Sequence, residues 1–464
     1  MRGTAAVVGG GIGGLAAALG LRRVGWDVTV LERSAVPDDA GAAISLAANG
    51  LRALDELGVG EAVRAASHGQ YRGGTRRPDG RWLARMDGAA LERAVGSPIV
   101  GITRAELHRL LRAALPAEAL LIGVRALTVE HDGPGRDGSG HDGPGHDRPG
   151  QDGPRQDRPG WDRPGWDRPG HDGPGRDRPG HDGSGRDRPG RDRPGHDGPG
   201  RVRVGCSDGT RCADLVVAAD GVGSRLRGLL LPEHPGAVAT GTAVLRAITD
   251  QPVALEGEFE LTWGRGAEFG HIVLPDGRAE WHAVLPLPPG TRFADPLAEL
   301  RSRFGGWHEP IPELLAATRP DAVLHHDLRE LRTPLTTFTV GRVALLGDAA
   351  HAMTPHLGQG ACQALEDAVT LAAAVADAPD LPSALSRYDA TRRPRAQAVA
   401  RAARQAGRMG PGLSHPLAVA VRNSAMPLMP PGPTLRAILR HHVWEPPTLN
   451  RTPPHPGGPA AHPA

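Results

Sequence analysis

Lysine is absent from this chain. All 54 basic residues are arginine, set against 52 aspartates and glutamates. A net charge of +2 leaves no strongly basic face, which argues against a nucleic-acid partner. Cysteine is almost as scarce: Cys206, Cys212 and Cys362 are too few among 464 residues for a disulfide framework. Cys206 and Cys212 are spaced to meet across a hairpin, but free thiols in a reducing cytoplasm are the expectation. No stretch of about 18 residues is apolar without charges or glycine clusters, so no membrane span is expected. The segment from Arg2 to Leu21 starts like a signal peptide, but five glycines between Gly9 and Gly14 spoil the apolar helix such a leader needs.

Glycine (65) and proline (45) are abundant, and one segment carries much of the excess. Residues 131–200 are fourteen pentapeptides of the form [His/Arg/Gln/Trp]-Asp-[Gly/Arg]-[Pro/Ser]-Gly, with one arginine in the last position. The block holds six histidines and fourteen aspartates, yet its spacing imposes no metal geometry, and no metal site is expected. With so few apolar side chains it cannot offset its chain entropy and is expected to be disordered. It separates two strand-like runs, Gly123–Glu130 and Arg201–Cys206, and so stands where a short hairpin loop would. Lengthening a loop about fourteen-fold costs only about 2.3 kcal/mol of closure entropy, which a fold of this size tolerates. The rest reads as a globular protein of two or three domains.

Three segments carry the chemistry. Thr4–Val8 reads as a strand and runs into Gly9-Gly-Gly11-Ile-Gly13-Gly14, which satisfies Gly-x-Gly-x-x-Gly, followed by a helix to Arg23 and a strand ending at Glu32-Arg33. The first glycine permits the tight turn, the second lets a pyrophosphate approach the backbone, and the third lets helix and strand pack. Unpaired N–H groups at the helix start then face phosphate, and Glu32 can accept from ribose hydroxyls. This predicts a dinucleotide site without choosing between FAD and NAD. The second segment is Ala213–Asp220-Gly221, a buried strand ending in Asp-Gly. The third is Gly341–Gly347-Asp348-Ala-Ala-His351 with Pro355-His-Leu-Gly358-Gln359-Gly360-Ala361, a strand, an Asp and a glycine-rich loop opening a helix. Thr103 and Glu106 also form a Thr-x-x-Glu capping box, placing Arg104 in a first helical turn. A cation is disfavoured there by the dipole, and an anionic ligand would explain it.

This ordered set resembles the single-component FAD-dependent aromatic-ring monooxygenases of the para-hydroxybenzoate hydroxylase type, nearest the salicylate, hydroxybenzoate and urate hydroxylase branch. The resemblance covers about residues 4–405 outside the pentapeptides, and includes Gly41–Leu54 and Ile102–Leu107. It implies an α/β fold: a Rossmann-like FAD-binding domain of the glutathione-reductase type, an antiparallel-sheet substrate domain and C-terminal helices. It further implies FAD contacts from Gly9, Gly11, Gly13, Gly14, Glu32, Arg33, Arg104, Asp220, Asp348, Pro355, Gly358, Gln359, Gly360 and Ala361. NADH or NADPH would reduce the flavin, and O2 would add to form a flavin C4a-hydroperoxide that hydroxylates a small aromatic substrate. No separate NAD(P)H domain is implied, in keeping with a single Gly-x-Gly-x-x-Gly outside the pentapeptides. Alternatives on the same scaffold are a flavin oxidoreductase or epoxidase, and an inactive FAD-binding relative. The expected assembly is a monomer or homodimer.

The domain map that follows assigns 1–74, 99–130, 201–231 and 336–405 to FAD binding, 75–98 and 232–335 to the substrate domain, and 406–464 to a partly disordered C-terminal segment in which His441–Trp444 packs on the body. Strand-like runs at Thr242–Ile248, Glu258–Trp263 and Ala279–Leu285 predict an antiparallel sheet, with a turn at Pro275-Asp-Gly277 and a further strand pair over Arg76–Met86. Candidate catalytic residues are Arg246, His271 and Pro355, with Trp281 and His282 as further substrate contacts. Some hydroxybenzoate hydroxylases of this type carry a His base in the strand matching Ala239–Ile248, and Trp or Tyr is common before the Arg. Here those places hold Thr242 and Leu245, so a phenol-deprotonating histidine is not expected there.

Overall fold

A computed structural model describes residues 3–34, 42–131, 200–430 and 439–449. The pentapeptide block, apart from its first and last residues, lies outside them. Strand β1 (Thr4–Val8) sits inside a six-stranded sheet. On one side it pairs in parallel with β2 (Asp27–Glu32), and β2 with β8 (Leu120–Ile122). On the other it pairs with β12 (Leu215–Ala218) and then β19 (Val343–Leu345), with β18 (Thr339–Val340) antiparallel at the edge. The central strands are apolar runs without alternation, as expected when both faces are covered. The helix Ile12–Arg23 packs against the helix Gly360–Asp377, and small residues set the approach. A Cβ on Gly20 would lie 3.0 Å from the Ala372 methyl.

Two small antiparallel sheets flank this layer. One joins β3 (Ala43–Leu46), β7 (Ile99–Thr103) and β4 (His68–Gln70). The other joins β9 (Ala126–His131), β10 (Val202–Cys206) and β11 (Gly209–Ala213). His131 stands opposite Val202, and Ser207-Asp208 forms the two-residue turn between β10 and β11. All three cysteines are free.

A seven-stranded sheet forms the second body. Its strands are β17 (Leu324–Glu330), β13 (Val238–Ile248), β16 (Ala279–Pro286), β15 (Glu268–Val273), β14 (Phe259–Trp263), β5 (Arg72–Arg76) and β6 (Trp82–Asp87), paired in that order. The expectation of an antiparallel sheet needs one correction, because β14 and β5 run parallel. The cause is non-local: Gly73 and Gly74 take φ of +145° and +140°, and a Cβ on Gly73 would sit 1.7 Å from the Phe259 carbonyl oxygen. Only glycine admits so close an approach, and it lets the early β5–β6 hairpin dock on a strand far downstream. Two expected boundaries also shift. β5 starts at Arg72, so a boundary at 74/75 cuts a strand, and the helix Leu381–Met409 runs through the one set at 405.

Cross-strand pairing sorts this sheet into two faces, since directly opposed residues share a side. One face carries Leu245, Ala283, Trp281, Phe269 and His271. It is buried beneath the helices Pro296–Phe304 and Ile311–Ala316, with Trp281 stacked on Phe269 at 5.6 Å and Leu300, Phe304 and Leu314 filling the layer. The other face carries Arg246, His282, Glu280, Glu268 and Ile272. It turns towards β3, where Ile272 packs on Ala43, and towards the loop at His356. At the C-terminus, His442 and Leu449 are buried and the Trp444 carbonyl accepts from Arg52 at 3.0 Å, which pins 439–449 to the first body.

Candidate active site

Ligands of parallel α/β sheets collect at the carboxyl ends of the strands. β1, β12 and β19 are neighbours, so the three segments singled out above emerge along one edge: Gly9 after β1, Asp220 after β12, and Gly347-Asp348 after β19. Local contacts agree. A Cβ on Gly9 would meet the Ala219 carbonyl at 2.3 Å, and one on Gly13 the Leu346 side chain at 2.9 Å. On Gly14 it would lie 1.9 Å from the Gly9 carbonyl oxygen, so this glycine closes helix against turn. On Gly11 it would meet nothing within 4 Å. The second glycine therefore borders open space, where a pyrophosphate needs the backbone bare.

Glu32 ends β2 beside this turn. One carboxylate oxygen accepts from the Gly10 N–H at 2.6 Å and the other from Ser34 at 2.7 Å, while Arg33 is exposed. Arg104 opens the helix Arg104–Ala113 and is exposed in its first turn. The Thr103 hydroxyl caps this helix, accepting from the Glu106 N–H at 3.2 Å. The reciprocal half of the expected capping box is replaced by an ion pair from Glu106 to Arg109 at 2.6 Å. Asp220 is spent locally: its oxygens accept from the Ser224 hydroxyl at 2.5 Å and the Leu226 N–H at 3.0 Å, securing the turn. Asp348 is exposed, after Gly347 at φ +60°.

The turn Pro355–Leu357 leads through Gly358 and Gln359 into the helix Gly360–Asp377. Cβ atoms on Gly358 or Gly360 would meet nothing within 4 Å. Around this loop the Thr354 hydroxyl, the Gln359 amide nitrogen and the Asn49 amide oxygen are buried without a protein partner. A glycine-lined opening edged by orphaned donors and acceptors suits a flavin nucleotide, whose polar edge would complete them. The residues present therefore fit FAD.

Beneath the loop lies a network that the sequence did not reveal. Asp367 accepts from the Gly347 N–H at 2.9 Å, from His351 at 2.6 Å and from Arg392 at 2.6 Å. Glu366 accepts from Asn49 at 2.7 Å, from Gln363 at 2.9 Å and from both Arg392 and Arg395. Asn49 also donates to Gln359 at 2.9 Å. Glu366, Asp367 and Arg392 are fully buried, and the two carboxylates are balanced by two guanidinium groups. Burial alone would raise the Asp367 carboxyl, but His351 and Arg392 outweigh it and hold it below the usual carboxylate range. The available signal was adjacent Glu366-Asp367 in a helix otherwise built from small apolar residues.

The open face of the seven-stranded sheet carries a second cluster. Arg246 donates to Glu280 at 2.7 Å and to the Ala43 carbonyl at 2.5 Å. His282 lies 3.5 Å from Glu280 and 3.9 Å from Glu268, which also accepts from Trp263 at 2.7 Å. The Nδ1 of His356, in the loop after Pro355, is 3.9 Å from Glu268 and has no hydrogen-bond partner. Arg246 and His282 are thus brought together near Pro355, but His271 is not. His271 and Trp281 point to the opposite face, where His271 is buried against the Gly257 carbonyl at 3.2 Å and Trp281 donates to Thr318 at 2.8 Å. A cavity of about 380 Å³ lined by Trp26, Asp214 and Arg342 lies at the other edge of the parallel sheet, since these residues precede β2, β12 and β19. It is at the wrong end for the cofactor motifs.

Fold and site together define a flavin-dependent enzyme of the aromatic-hydroxylase class. A family model described as an FAD binding domain matches residues 2–141 and 200–403, and the chain belongs to that family. It is 31% identical over 410 residues to aurachin C monooxygenase/isomerase of Stigmatella aurantiaca, covering 88% of this chain and 89% of that one. It is 32% identical over 415 residues to the 3-amino-4-hydroxybenzoate 2-monooxygenase PtnB3 of Streptomyces platensis (87% of each), and 28% identical over 400 residues to an FAD-dependent urate hydroxylase of Klebsiella pneumoniae (84% and 85%). Among solved structures, Klebsiella pneumoniae HpxO complexed with FAD and uric acid superposes with a TM-score of 0.75 at 24% identity, covering 95% of this chain and 96% of that one. A salicylate hydroxylase substrate complex superposes at 0.63 and 22%, covering 95% and 98%. No helix among the described residues is long and apolar enough to cross a membrane.

Proposed function

We propose that this protein is an NAD(P)H-dependent monooxygenase that uses FAD and O2 to hydroxylate an aromatic or similarly electron-rich small molecule. One observation carries the reading. The loop that follows the cofactor edge meets the ionisable face of the second sheet, His356 against Glu268 at 3.9 Å, so redox group and substrate would share one chamber. The relatives, named for aurachin C, urate and an aminohydroxybenzoate, have oxygen insertion as their common chemistry.

A bound FAD would supply the redox chemistry, linking NAD(P)H oxidation to O2 reduction, with one oxygen atom entering the ring and the other leaving as water. The chain's own task is to bind, orient and exclude water. The backbone at Gly9–Gly14 and the helix start face the pyrophosphate, Glu32 takes ribose hydroxyls in exchange for its bond to Gly10, and Asp348 takes the ribityl chain. Arg33 and Arg104 supply positive charge nearby. Pro355 and the N–H groups of Gly358–Ala361 border the ring, where few side chains crowd it. The sheet face that meets the loop at Glu268 would shield the site from solvent, which would otherwise divert the electrons to peroxide.

The purified protein is expected to be yellow. Its NAD(P)H consumption and O2 uptake should rise together, one to one with product, when a suitable phenolic acid, purine or fused-ring aromatic is present. A colourless protein that takes up no FAD would refute the reading. Oxidation of NAD(P)H without oxygen transfer to any ring would leave a flavin oxidoreductase instead.

A further inference from the structure

Arg246 is the cation on the open sheet face that a substrate carboxylate would seek, and two of its three nitrogens are already committed. Its Nε and one terminal nitrogen both donate to Glu280, at 3.0 and 2.7 Å, and that terminal nitrogen also reaches the Ala43 carbonyl at 2.5 Å. Glu280 is only 2% exposed, so solvent does little to loosen the pair. A second carboxylate, Glu268, is 4% exposed on the neighbouring strand. Between them stands His282, above Gly270, where a Cβ would come within 2.6 Å of its ring nitrogen. Facing these from the loop is His356, held largely neutral by burial, with Glu330 beyond it. The fixed charges of the cluster are therefore two carboxylates against one guanidinium, and only protonation of His282 brings it to neutrality.

Resting on the proposed function, we propose that Glu280 is a specificity-determining residue: by neutralising Arg246 it rejects carboxylated rings, and the substrate is an aromatic molecule without a carboxylate that offers N–H or O–H donors to this face. A carboxylate brought here meets two buried like charges and an Arg246 whose charge Glu280 already offsets, with only its Nη1 left to bond. An amide or ring N–H instead donates to Glu280 or Glu268. Exclusion by a built-in repulsive group is a recognised route to selectivity.

The test uses the FAD-loaded enzyme and two matched pairs of probes, 4-hydroxybenzoate with 4-hydroxybenzamide and salicylate with salicylamide. Binding is read from perturbation of the flavin spectrum. In the wild type each amide is expected to bind at least about tenfold more tightly than its acid. Glu280→Gln frees Arg246 and should shift that ratio towards the acids by about tenfold or more. The double variant Arg246→Leu with Glu280→Leu removes the pair without stranding a charge and should lose the gain seen with Glu280→Gln. The inference is overturned if the wild type prefers the acids, if neither pair binds, or if Glu280→Gln leaves the ratio unmoved in a protein that keeps its FAD. A protein that never takes up FAD overturns the underlying reading and this one with it.

Discussion

Two clusters of ionisable groups lie on either side of the loop Pro355–Gly360, and they are built differently. Below it, Glu366, Asp367, Arg392 and Arg395 form a closed set in which each carboxylate has a guanidinium and the bonds end on backbone or amides. Across from it, Glu268, Glu280, Arg246, His282 and His356 form an open set, with a carboxylate in excess and an imidazole nitrogen left unpaired. The first holds the chain: through Asp367 it fixes Gly347 ahead of Asp348, and through Asn49 it fixes Gln359. The second has bonding capacity to spend on something that is not protein. Burial alone does not separate structural from functional charge, since both sets contain nearly inaccessible carboxylates. Completeness does.

The strongest way to break this distinction is to open the closed set. Arg392→Ala leaves the buried Glu366 with Arg395 alone and Asp367 with His351 alone, and should cost about 3–5 kcal/mol, read from urea unfolding. Arg392→Lys keeps the charge but not the fork that reaches Glu366 and Asp367 together, and should recover only part of the loss. Arg246→Ala in the open set should cost less, about 1–2 kcal/mol, because Arg246 is itself 21% exposed and His282, 3.5 Å from Glu280, offsets part of the charge left behind. Equal losses from Arg392→Ala and Arg246→Ala would erase the contrast.

The glycine turn offers a finer version of the same test. Gly14→Ala places a methyl 1.9 Å from the Gly9 carbonyl and should destabilise the chain by about 1–3 kcal/mol before any cofactor is added. Gly11→Ala meets no protein atom within 4 Å, and Gly11 already has φ −72°, which alanine accepts. Its melting temperature without FAD should be unchanged, while FAD affinity falls about tenfold, as titration of the flavin shows. A stability loss at Gly11 would mean that the space there belongs to the protein and not to a ligand.

What was legible in the sequence was local. Gly9–Gly14, Asp220 and Gly347-Asp348 could be read because each sits where a strand gives way to a turn, and the turn at Pro275–Gly277 declares itself by residue type. What was not legible depends on which strands meet. Arg246 and Glu280 lie 34 positions apart and become partners only because β13 pairs with β16 in this register. His271 looked equivalent to His282, yet the alternation of β15 and β16 sends the two rings to opposite faces. The parallel seam at Gly73–Phe259 and the contact of His356 with Glu268 likewise join segments whose own patterns say nothing of each other.

The smallest expected effect concerns His282, and it sharpens the description of the open set as short of positive charge. Burial alone would lower this imidazole, but the hydrogen bond and charge of Glu280, with Glu268, outweigh it and raise it above its ordinary 6.5. Folding thus favours the protonated ring. Its stabilisation is fully present below about pH 6.5 and is lost as the pH climbs through the raised value. His271 and His356, lowered mainly by burial, act with the opposite sign, so the whole protein's profile is a mixture. Comparing wild type with His282→Gln isolates the term. The gap between their urea midpoints should narrow from about pH 6 to about pH 9. Restoring one charge balance by another route should mimic it: in the Glu280→Gln background the gap should be smaller at every pH and should close at lower pH. A gap that widens with pH would mean that the ring is neutral in the folded chain, and the open set would then carry a full negative charge for its ligand to meet.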